Sequence, residues 1–180
     1  MLITPDGWLV AAEKKISPYF DSRPKGEISL LVIHCISLPP GEFNTGAIEK
    51  LFMGTLDCQS DPYYQTHLLG KQVSSHVLIR RSGEVVQFVS FLDRAWHAGV
   101  SSFKGREKCN DFSIGIELEG TDDQPFEPVQ YDSLIKLTQE ILKNYPAITP
   151  ENILGHEDIA PGRKTDPGKF FNWNFYKESL

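Results

Sequence analysis

Ser29-Leu30-Leu31-Val32-Ile33-His34-Cys35-Ile36 is a short run of apolar, mostly branched residues, closed by Pro39-Pro40-Gly41. Its length and composition predict a buried β-strand, with His34 near the C-terminal end. Working outward, Ser75–Arg80 and Glu84–Val89 flank Ser82-Gly83, a turn pair, which predicts an antiparallel hairpin. Phe112–Glu119 alternates Phe112, Ile114, Ile116 and Leu118 with Ser113, Gly115, Glu117 and Glu119, a period of two that predicts a third strand with both glutamates on the face opposite the apolar one. Between Pro128 and Tyr145, Leu134, Leu137, Ile141 and Tyr145 recur at helical spacing; Pro128 suits the first turn and Pro146 ends the run. Further amphipathic segments lie around Thr45–Met53 and Trp173–Leu180. A hairpin combined with helix-separated strands predicts an α/β fold: a mixed central β-sheet flanked by helices, with functional groups at strand ends and loops.

The chain of 180 residues is 40% hydrophobic, enough for one sizeable core, so a single domain over 1–180 is expected. No basic segment followed by a continuous apolar one opens it, and no run approaches a membrane span. Cys35, Cys58 and Cys109 form an odd set without metal-like spacing, as suits reduced thiols and a cytoplasmic setting. A net charge of −6 disfavours nucleic acid as a partner. A monomer is expected, with no membrane partner.

The chemistry concentrates in His156-Glu157-Asp158-Ile159-Ala160-Pro161-Gly162-Arg163-Lys164-Thr165-Asp166-Pro167-Gly168. Its prolines and glycines predict an irregular loop in place of helix or strand. Together with His34, this loop offers His156 and Asp166: two imidazoles and a carboxylate, a common ligand set for one hydrolytic zinc ion with an open position. The same donors also suit non-haem iron. Lys164 tips the balance, because a cation beside the metal stabilises a developing oxyanion, which amide hydrolysis needs and oxygen activation does not.

Four blocks then carry a family resemblance: Leu31–His34 with Ile36–Phe43, Arg94–Ser101, Asn110–Thr121, and the His156 loop. In this order they resemble the AmpD-type N-acetylmuramyl-L-alanine amidases, cytosolic members of the zinc amidase and peptidoglycan recognition protein superfamily. The resemblance implies one Zn2+ held by His34, His156 and Asp166, with Glu117 as catalytic carboxylate and Lys164 as electrophilic partner. Glu119 is a rival base on the same strand face. The implied substrate is a 1,6-anhydro-N-acetylmuramyl peptide from cell-wall turnover, cut between the muramyl lactyl group and L-alanine.

The resemblance also points to substrate contacts at Trp96 and His97, where an indole face can pack on sugar or peptide, and at Tyr63. Arg163 is expected to meet a carboxylate or sugar, and Lys108 the acidic end of the stem peptide. Cys35 stands where close relatives carry asparagine, and near Lys71-Gln72 relatives place an arginine. Both departures bear on stem-peptide contacts.

Overall fold

The runs Leu30–Ile36 and Ser113–Glu119 pair in parallel along their whole length, and this pair is the spine of the molecule. The computed structural model describes residues 1–180. In chain order its elements are β1 (Glu13–Lys14), β2 (Phe20–Ser22), β3 (Leu30–Ile36), α1 (Ala47–Phe52), α2 (Pro62–His67), β4 (Val77–Ile79), β5 (Val85–Gln87), β6 (Asp93–Ala95), β7 (Ser102–Phe103), β8 (Arg106–Glu107), β9 (Ser113–Glu119), α3 (Pro128–Asn144), β10 (Ile153–Gly155), α4 (His156–Ile159) and α5 (Trp173–Glu178). Six strands form one sheet in the order β1-β5-β4-β9-β3-β10; β4 and β5 run antiparallel and the other neighbours parallel. The mixed sheet, the hairpin and the helix from Pro128 follow the sequence expectation. Two small antiparallel ribbons, β2-β6 and β7-β8, stand apart.

Because strand side chains alternate between faces, one face of the sheet is largely apolar. Leu31, Ile33, Val77, Ile79, Ile114, Ile116 and Leu118 pack there against Leu134, Leu137 and Ile141 of α3. Gln130 of the same helix donates to the carbonyls of Ile79 and Glu119, tying its first turn to two strand ends. The helix opens with the Glu127 N–H donating to Gln130 Oε1, one half of a capping box.

The opposite face carries two separate apolar clusters. Leu78 and Val86 pack with Ile48, Leu51 and Phe52 of α1 and Tyr64 of α2. Leu30 and Val32 pack with Ala98, Cys109, Phe112 and Ile159. His34, Glu117, Ser113 and Gly115 share that face, by strand alternation, with Leu30, Val32 and Leu78. All seven residues of β9 are buried, so the face that alternation marks as polar is covered by protein and not by solvent.

Two elements depart from the sequence expectation. The stretch from His156 begins as a helical turn, α4, because the first proline comes only at Pro161; the irregular part starts after Ile159. The helix α2 went unanticipated, although Asp61 accepts from the Tyr63 and Tyr64 N–H groups and Pro62 occupies the first turn, a regular helix start.

The two faces make separable contributions. Leu137→Ala, on the α3 side, should lower unfolding free energy by about 2–5 kcal/mol through the cavity it opens, while metal retention at the opposite face stays unchanged. Chemical denaturation beside a metal assay would check both halves of that expectation.

Candidate functional site

The site is laid out by strand register. His34 of β3 lies directly beside Glu117 of β9, and Ile33 beside Gly155 of β10, so His156 follows one residue later in the same row. Three parallel strands thus deliver His34, Glu117 and His156 side by side at their C-terminal ends, where α/β sheets place ligand sites. Asp166 arrives from the loop beyond α4, whose path is fixed by the Glu157 N–H donating to the Asp166 carbonyl at 2.9 Å. The loop returns across the Thr121–Asp123 segment so closely that a side chain at Gly168 would overlap the Asp122 backbone; its φ of +85° also favours glycine.

His34 Nδ1, His156 Nδ1 and Asp166 Oδ2 stand 2.9, 3.0 and 3.1 Å from one another. Both imidazoles are buried. The far nitrogen of His156, Nε2, lies 3.0 Å from the Ala98 carbonyl, which can only accept, so the ring proton of neutral His156 sits there and Nδ1 presents a lone pair. A second nitrogen and a carboxylate oxygen face that lone pair, a gathering of electron-rich atoms that suits a cation. Donor atoms around a tetrahedral ion with ~2.0 Å bonds lie roughly 3.3 Å apart, close to the triangle observed. The three side chains form a cluster able to hold a metal ion.

Electrostatics agree with that role. Burial lowers His34 to about 4, leaving it neutral through the physiological range. Burial pushes Asp166 up, but hydrogen bonds with His156 and His34, and the charges they would carry, hold its carboxyl well below the usual range. Glu117 is 9% exposed and its Oε2 has no hydrogen-bond partner. Burial, then the neighbouring Asp166 charge, raise its pKa well above the ordinary value, while Lys164 opposes them. Glu119, by contrast, accepts from the Asn44 N–H at 2.6 Å and the Arg81 N–H at 3.0 Å, so its carboxylate is already committed to holding two loops.

A cavity of about 810 Å³ opens over the row. Among the residues expected at the site, Cys35, Tyr63, Trp96, His97, Glu117, His156, Arg163, Lys164 and Asp166 line it, whereas Lys108 and the buried His34 do not. Trp96 stacks on Tyr19, with ring centroids 6.3 Å apart, and donates from Nε1 to Asp21 Oδ1 at 3.3 Å. Arg163 donates to the carbonyls of Ala98 and Val100. His97 is engaged at both ring nitrogens by protein groups, His34 and Ser113. Burial raises the Cys35 thiol strongly, keeping it protonated and a poor nucleophile. Sequence reasoning assigned no role to Asp21, Arg23, Asn110 and Asp122, although Asn110 opens one of the resemblance blocks; only the tertiary fold brings them around the site.

Residues 24–169 match the family model described as N-acetylmuramoyl-L-alanine amidase. The chain belongs to this family. It is 53% identical over 175 residues to the 1,6-anhydro-N-acetylmuramyl-L-alanine amidase AmpD of Haemophilus influenzae, covering 97% of this chain and 95% of that one. The crystal structure of a selenomethionine AmpD derivative superposes with a TM-score of 0.96 at 51% identity, covering 100% of this chain and 99% of the other. The amidase AmiD of E. coli, solved with anhydro-N-acetylmuramic acid-L-Ala-D-gamma-Glu-L-Lys, gives a TM-score of 0.62 at 31% identity, covering 99% of this chain and 65% of AmiD. The chain is accordingly an amidase with a metal-ligand triad in its cavity.

The unpartnered Glu117 carboxyl carries a pH-dependent consequence. Its raised pKa means that the folded protein holds this proton more tightly than the unfolded chain does. The resulting stability is fully present below the ordinary value of 4.5 and is lost as pH rises through the folded value. Metal-free Glu117→Gln should therefore melt a few degrees above metal-free wild type at pH 8, with the gap closing toward pH 4. An equal gap at both pH values would contradict the assignment.

Proposed function

We propose that this amidase is zinc-dependent and hydrolyses the amide joining the lactyl group of 1,6-anhydro-N-acetylmuramic acid to L-alanine in anhydromuropeptides, as a cytoplasmic, monomeric enzyme of peptidoglycan recycling. The observation that carries the reading is the His34–His156–Asp166 triangle with the unpartnered Glu117 beside it, in a chain matching AmpD over nearly its full length. Three free cysteines fit a reducing compartment, and no helix is long and apolar enough to cross a membrane.

His34, His156 and Asp166 would hold the zinc, which when bound supplies Lewis acidity and lowers the pKa of water to about 7. Glu117 takes the proton released as water adds to the scissile carbonyl. Its buried position makes proton uptake favourable, which suits a general base. As the tetrahedral centre collapses, the Glu117 carboxyl returns that proton to the alanine nitrogen. The C–N bond breaks and a free peptide amine leaves beside a lactyl carboxylate. Lys164, on the same cavity wall, offers its ammonium to the oxyanion. Lys71, Arg163 and Lys164 place three cations among the lining residues as partners for an acidic stem peptide, and Trp96 and Tyr63 offer aromatic faces to the sugar and peptide.

Zinc-loaded protein mixed with anhydromuramyl tripeptide should release free tripeptide and anhydromuramic acid by mass spectrometry, and a chelator should stop it. Preference for polymeric peptidoglycan would move the enzyme to wall lysis, and cleavage of neither would favour a binding module. His156→Ala should lose both zinc and turnover. Lys164→Ala should keep zinc and lose most of the rate; equal zinc loss in the two variants would sink the division of roles. Glu117→Gln should be inactive with zinc retained, whereas an inactivation confined to Glu119→Gln would name the other carboxylate as base.

A further inference from the structure

Both metal-facing imidazoles are held from behind by consecutive residues of one loop. His34 Nε2 faces His97 Nδ1 at 2.9 Å, and His97 Nε2 faces Ser113 Oγ at 3.0 Å. The next residue, Ala98, accepts from His156 Nε2 through its carbonyl at 3.0 Å. The two backbone N–H groups of this pair, His97 and Ala98, both donate to one side-chain oxygen, Asn110 Oδ1, at 3.1 and 2.8 Å. Asn110 is anchored in turn: its carbonyl accepts from Arg23 Nη1 at 2.9 Å, and the same guanidinium donates to the carbonyls of Phe91 and Ser113. The His97 ring lies against the backbone of β9 in space that only a glycine leaves. A Cβ on Gly115 would stand 2.5 Å from the ring's Cγ and Nδ1.

We propose that His97 and Asn110 are positioning residues of the metal centre: His97, backed by Ser113, accepts the His34 Nε2 hydrogen so that His34 Nδ1 presents its lone pair, and Asn110 keeps His97 and Ala98 in register so that His34 and His156 are oriented together. A neutral imidazole has one donor and one acceptor nitrogen, so engaging the far nitrogen decides what the near one offers. Ligating histidines elsewhere give this hydrogen to a carboxylate or a carbonyl. Here His156 follows that rule with Ala98, while His34 uses a second imidazole, whose own hydrogen goes to Ser113. His97 therefore serves the centre from behind, in addition to lining the cavity.

This inference rests on the metal-centre reading above, and the experiment separates the two. Zinc affinity is measured by chelator competition in the full chain, with circular dichroism and melting curves as fold controls, and the tautomer of His34 is read from long-range 1H–15N correlations of its ring. His97→Phe, which keeps an aromatic ring without an acceptor, should bind zinc roughly 10–100-fold more weakly and lose the single Nε2–H tautomer at His34. His97→Asn, which returns an acceptor near the Nδ1 position, should recover part of that affinity. Asn110→Ala should weaken zinc binding without touching either ligand. If His97→Phe fails to fold, Ser113→Ala decides: it removes one atom at the far end of the relay and should still weaken zinc several-fold. Unchanged affinity and an unchanged His34 tautomer in a folded His97→Phe or, failing that, in Ser113→Ala would overturn the positioning role. Wild-type protein that binds no zinc would overturn the metal-centre reading instead.

Discussion

The parallel pairing of β3 with β9 is the constraint on which the rest of the molecule depends. It places His34 beside Glu117, and the neighbouring pairing with β10 puts His156 in the same row. A slip of one residue in either register would turn a functional side chain toward α3 and an isoleucine or leucine toward the cavity. The apolar face prevents that slip, because Leu31, Ile33, Ile114, Ile116 and Leu118 all have to meet α3 at once. Packing on one side of the sheet thus sets the geometry of chemistry on the other.

The polar side adds hydrogen bonds and close backbone approaches to its two apolar clusters. Between its two apolar clusters run His97, Ser113, Glu117 and the His156 loop, and nearly every buried polar atom there has a partner. The exception is Glu117 Oε2. An unpaired buried carboxyl oxygen opposes folding, and its place at the centre of the row fits the general-base role proposed for Glu117. Glu119, two residues on, is on the same face of the same strand and is fully occupied by two loop N–H groups. Environment, and not residue type, separates the two acids.

That separation marks the boundary of what the sequence discloses. Strands β3 and β9, the β4-β5 hairpin and α3 were legible because their apolar periodicity is long or their turn pair is distinctive. The ligands His34, His156 and Asp166 were legible as donor types joined to a family pattern. The burial of Glu117 was not, since alternation assigns it to a polar face and cannot say that loops will cover that face. Asn110 and Ser113 lie in a block of the family pattern, but nothing local gives them a role; that comes from His97 and Ala98, which reach them only in three dimensions. The short strands β1, β2 and β6 are two or three residues long and are defined by pairing partners distant in sequence, while β7 and β8 are two-residue arms of a local hairpin, too short to show a period. The turn α4 was hidden by prolines that follow it, and α2 by its brevity despite a regular cap at Asp61.

The strand order has a consequence for solubility. The two seven-residue strands, both rich in branched apolar residues, occupy the middle of the sheet, and its borders are β1, with two residues, and β10, with three. A border that short offers another chain little template for strand addition. The segments most prone to self-association each have a strand on both sides, and the borders that the central sheet offers a neighbour are short.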